Sequence, residues 1–104
     1  MSEKLAFPVK GTQSRKEWQG VLQQWRETVC QRMVDLTIAN LQLQKEASEK
    51  LDLRKAMELA EALVHQELSP TPQQMSLYGE VLNLFAKAMA ARVAKAEAEL
   101  KAKA

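Results

Sequence analysis

"LSPTPQQM", residues 68–75, decides the fold. Pro70 and Pro72 have no amide hydrogen to continue a helical ladder, so any helix running into this stretch must stop there. Thr71 as N-cap, Pro72 at the first helical position and Gln74 three residues after Thr71 then make a helix start. A stop followed at once by a start turns the chain back, and the last helix is expected to lie antiparallel to its predecessor.

Downstream of the turn, Met75, Tyr78, Leu82, Phe85, Met89, Val93, Ala96 and Leu100 keep a three-four spacing, broadened by Val81 and Leu84 on one flank. That spacing is the signature of one apolar face of a helix. The tail "AKAEAELKAKA", residues 94–104, alternates Ala with Lys and Glu. It has high helix propensity and little to bury, so it is read as a solvated helix end.

Upstream, Leu53, Met57, Ala60 and Val64 carry an apolar lane back from the turn. A separate start lies at "SRKE", residues 14–17, where the Ser14 hydroxyl can accept from the Glu17 amide in a capping box. From there Trp18, Leu22, Trp25, Val29, Met33, Leu36, Leu43 and Ala47 follow helical steps, with Asn40 as the polar member of the lane. Asn40 is either a buried amide that fixes register or a wet side chain at the edge of the stripe. A second stripe through Cys30, Val34, Ile38 and Leu41 widens the apolar arc beyond what one neighbouring helix covers, which calls for three or more helices in contact.

The expected helices are therefore about 14–48, 50–68 and 72–103, within a helical domain 14–104. The first two are either continuous or broken near residues 48–52, where Ser48 and Asp52 are both possible N-caps. Unbroken, they would form a rod about 80 Å long at roughly 1.5 Å per residue, far outside ordinary globular lengths. A break folds the first helix back and makes a three-helix bundle. Residues 1–13 form an extended or disordered arm, with Pro8 and Gly11 opposing helix. Leu5, Phe7 and Val9 alternate and could dock, but a frayed terminus is the preferred reading.

Three Gly and three Pro in 104 residues, with Ala, Leu, Gln, Glu, Lys and Arg abundant, agree with an all-α chain. The fold class expected is all-α: a long antiparallel helical hairpin or three-helix bundle, completed by oligomerisation. Fifteen basic against thirteen acidic residues leave a net charge of +2, too little for the dense positive field that nucleic acid would reward. No apolar run approaches the roughly 20 residues of a membrane span. A single cysteine and an N-terminus without a secretory apolar core point to a reducing, cytoplasmic setting.

Catalytic chemistry finds no foothold. His65 is the only histidine, and Glu61 one turn away does not make a metal or acid–base site alone. Cys30 reads as a small hydrophobe. No Gly-rich phosphate loop occurs, and neither enzyme activity nor a cofactor or metal is expected.

The two tryptophans are the conspicuous feature. Trp18 and Trp25 share a lane with Leu22 and Val29, and two indoles bury about 150–250 Å² each, worth several kcal/mol together. The last helix is too short to cover everything before it. The four residues Trp18, Leu22, Trp25 and Val29 are accordingly read as a contact face, toward a second copy or a partner protein's helix.

The Trp-containing, Gln-rich first helix, the long stretch "LTIANLQLQKEASEKLDLRKAMELAEALV" (residues 36–64), the Pro-marked turn and the Ala/Lys tail together resemble phasins, the helical coat proteins of polyhydroxyalkanoate granules. Small helical-hairpin chaperones of bacterial secretion systems are similar on the same grounds. The function expected from the residues is a non-catalytic protein–protein interaction module, such as a small chaperone, adaptor or assembly factor, that self-associates as a homodimer and binds through the Trp18/Trp25 face. The resemblance implies an alternative, a phasin-like amphipathic coat of a hydrophobic granule or lipid surface. A nucleic-acid-binding role for the first helix, through Arg15, Lys16, Arg26 and Arg32, is a further alternative.

Overall fold

The computed structural model describes residues 5–47 and 53–103 and contains three helices: α1 (Arg15–Ala47), α2 (Leu53–Leu68) and α3 (Met75–Lys103). The chain is an all-α bundle. Ser14 caps α1 as its sequence requires, its hydroxyl accepting from the Glu17 amide at 3.2 Å and its carbonyl from the Trp18 amide at 2.9 Å.

At the other turn, α2 ends in Ser69, whose φ of 47° lets its amide reach the His65 carbonyl at 2.8 Å. The Gln74 side chain accepts from the Thr71 amide at 3.0 Å, the reciprocal arm of a capping box. One tight turn at 72–74 precedes α3, so the helix proper begins three residues later than Pro72.

Direction follows from the residues that meet. The Tyr78 hydroxyl donates to the Glu61 carbonyl, and residues 53–61 share a groove with residues 82–86, so α2 and α3 run antiparallel. Arg26 pairs with Glu80, and residues 23–34 of α1 line a second groove with residues 84–92, numbers rising together, so α1 and α3 run parallel. The chain therefore reverses between Ala47 and Leu53, giving an up-down-up three-helix bundle. The possible bend at residues 48–52 lies outside the described residues.

The core runs through one lane on each helix: Trp25, Val29, Met33 and Thr37 from α1, with Val34 beside them; Ala56, Ala60, Val64 and Leu68 from α2; Tyr78, Val81, Phe85 and Met89 from α3. Each fully buried valine contributes about 1.5–3 kcal/mol of transfer free energy. Ala56 and Ala60, both fully buried, let α2 approach α1 closely. α1 packs on both other helices, whereas α2 and α3 touch each other far less.

One part of the expected α1 lane does not hold. Thr37, not Leu36 or Leu43, is the buried residue; Leu43 is 61% exposed and Leu36 half-buried. Steps of four from Trp25 onward rotate the core stripe away from the seven-residue lane through 36 and 43. Thr37 tolerates complete burial because its hydroxyl donates to the Met33 carbonyl at 2.8 Å.

At 33, 16 and 29 residues, the helices are about 50, 24 and 44 Å long at 1.5 Å per residue. Among the described residues, the short middle helix does not reach the far ends of α1 and α3.

Candidate interaction surfaces

The structure divides the expected contact face. Trp25 is 8% exposed and Val29 fully buried, both within the chain's own core. What covers Trp25 is the arm: its indole N–H donates to the Ala6 carbonyl at 2.9 Å, and the Phe7 ring lies 4.9 Å from it at a 31° tilt. Leu5 also packs on the core, and its amide donates to the Glu67 carboxylate at 3.2 Å, tying the arm to the end of α2. The arm thus docks where a frayed terminus was the preferred reading, and the alternation of residues 5, 7 and 9 explains it. Leu5 and Phe7 point inward while Val9 is 85% exposed.

Trp25 and Val29 are therefore spent on the fold. The lane is thereby divided, because the chain's own first residues close over the second indole, which the sequence pattern does not reveal. Trp18 and Leu22 remain half-buried, outside the contiguous core, at the end of α1 that leads the bundle.

A second apolar surface was not legible as a site. α2 and α3 leave between them an open groove of about 350 Å³. Leu53 and Met57 form one wall and Leu82, Phe85 and Ala86 the other. Glu58, Glu61 and Arg54 stand on the rim, with Arg54 3.4 Å from Glu58. Both components of that ion pair are well exposed, so it contributes little to stability.

The groove's α3 wall continues as a strip past the end of α2. At 100° per residue, Leu82, Ala86, Val93 and Leu100 share one face of the helix. Val93 is half-buried and Leu100 is 69% exposed. On α1, Leu43 is exposed at the same uncovered end. Asn40 is half-buried there with its Nδ2 shut off from solvent and without a hydrogen-bond partner among the described residues.

Two titratable groups are shifted by their surroundings. Burial pushes the Cys30 thiol above its ordinary value, which disfavours the thiolate. Tyr78 is pushed up to about 12 by burial, with the Glu61 carboxylate adding to the effect. His65 is exposed in the last turn of α2, its ring 5.3 Å from Tyr78 in an edge-on contact. Among the described residues no three His, Cys, Asp or Glu side chains gather as metal ligands. Arg26, one of the cations considered for nucleic acid, is engaged by Glu80 at 3.0 Å and mostly covered.

No described helix is long and apolar enough to cross a membrane. Comparison with known proteins adds no family: no family model, curated protein or solved structure matches the chain.

Proposed function

We propose that this chain is a non-catalytic helical interaction module, of the kind used by a small chaperone, adaptor or assembly factor. The observation that carries the reading is the apolar groove between α2 and α3, walled by half-buried Leu53, Met57 and Leu82 and exposed Ala86, with the buried Phe85 ring among its lining residues. Apolar concavity of this length between two helices suits a third amphipathic helix, whose side chains at steps of three and four fill it. Trp18 and Leu22, half-covered at the head of α1, form a lesser contact area.

Site-specific photo-crosslinking in the native cell tests the proposal. A photoreactive residue replacing Met57 should give an adduct with an identified helical protein, this chain included, and the same residue replacing Lys87 on the outer face of α3 should not. No adduct at either position, or an adduct only with lipid, would overturn it; the lipid result would favour the coat role.

A further inference from the structure

The groove's α3 wall and the strip beyond it lie on the same helix, and the strip is long enough to span the groove. The α2 wall runs from Leu53 to Glu61, nine residues, and the uncovered end of α3 runs from Val93 to Lys103, eleven, enough to span it. The apolar strip is also self-complementary. If two α3 helices lie antiparallel about a two-fold axis near Ala91, Leu100 of one copy stands opposite Leu82 of the other, and Ala86 stands opposite Ala96. Relations of this kind are isologous, so each contact occurs twice.

Antiparallel pairing of α3 sets the tail of one copy parallel to α2 of the other. In this register residues 96–100 of that tail fall level with residues 82–86, the α3 wall of the groove. Charge follows the same direction. Residues 93–103 carry Lys95, Lys101 and Lys103 against Glu97 and Glu99, a net positive segment. The groove rim carries Glu58 and Glu61 against Arg54. Lys101 and Lys103 come to the Glu61 end of the groove in this register.

We infer that the occupant of the α2–α3 groove is the C-terminal part of α3, residues 93–103, from a second copy of this chain, reciprocally, in a symmetric antiparallel dimer. The inference rests on the interaction-module reading and names its partner. Leu100 is the anchor: it is the most exposed large apolar side chain of α3, and pairing places it against Leu82 and Met57. Each copy's α2 then packs on the end of the other's α3 that the other's own α2 does not reach.

Sedimentation equilibrium on the full chain tests this with three variants. The wild-type chain should be a dimer. Leu100→Asp, which alters a side chain already exposed in the single chain, should weaken dimerisation about tenfold or more. Glu61→Lys should weaken it, and adding Lys101→Glu to Glu61→Lys should restore it. A monomeric wild-type chain, or a dimer indifferent to Leu100→Asp, would overturn the inference. A monomer that still gives a Met57-specific crosslink to another protein would overturn self-pairing while leaving the interaction module standing.

Discussion

Tyr78 is the only tyrosine in the chain, so its ionisation can be followed directly by ultraviolet absorbance without assignment. Its ring is almost fully buried between α2 and α3, its hydroxyl donates to the Glu61 carbonyl at 3.2 Å, and its pKa is pushed from 10.0 up to about 12. Burial is the larger cause, since it penalises the phenolate, and the Glu61 carboxylate adds repulsion. In the unfolded chain the ordinary value near 10 applies. The folded state thus holds its proton more tightly, and stability falls as pH rises. The contribution is fully present below pH 10, declines through the window from 10 to about 12, and is lost above it. Two pH units at about 1.4 kcal/mol each make it about 2–3 kcal/mol in all. Urea unfolding at a series of pH values should therefore show a steeper alkaline decline in the wild type than in Tyr78→Phe. Between pH 10 and 11 the difference in slope should approach about 1 kcal/mol. A native tyrosinate titration centred near 10, while α-helical circular dichroism is intact, would refute the buried packing of Tyr78 and with it the closed end of the α2–α3 seam.

Other consequences follow from local geometry. Phe7→Ala, made in a Trp18→Phe background so that Trp25 is the sole emitter, should red-shift the fluorescence and cost about 1–3 kcal/mol, since a half-buried ring is removed from the indole it covers; an unshifted spectrum would contradict arm docking. Ala60→Leu should destabilise by about 2 kcal/mol or more in chemical denaturation, because the α1–α2 contact has no room for the extra atoms. Gly20→Ala and Gly79→Ala should each stabilise by about 0.5–1 kcal/mol, as both lie inside helices and a new Cβ meets nothing within 4 Å at either. A loss of thermal stability in either glycine variant would contradict the helix placement at that position.

Much of the fold was legible in the sequence because its signals are local. The Ser14 cap, the Pro70–Pro72 turn with Thr71 and Gln74, and the three-four spacing from Tyr78 to Met89 each act within a few residues, and each appears in the structure. The contact surface was less legible because it depends on which residues meet at long range. Trp25 and Trp18 look equivalent in the lane, yet the Ala6 carbonyl and the Phe7 ring select one of them. The α2–α3 groove arises from a difference in how closely pairs of helices approach: Ala56 and Ala60 bring α2 onto α1, and the sequence carries no corresponding sign that α2 and α3 separate. Leu43 was assigned to the core lane for a related reason, since a seven-residue repeat and a four-residue repeat diverge only after several turns.

An isotope-filtered nuclear Overhauser experiment on a sample mixed from labelled and unlabelled chains tests the account most directly. It should show transfer between the Leu100 methyl groups of one copy and the Met57 methyl of the other, two side chains that no single copy can bring together along parallel stretches of its own bundle. Intermolecular transfer confined to Trp18 and Leu22, or none at all, would contradict it.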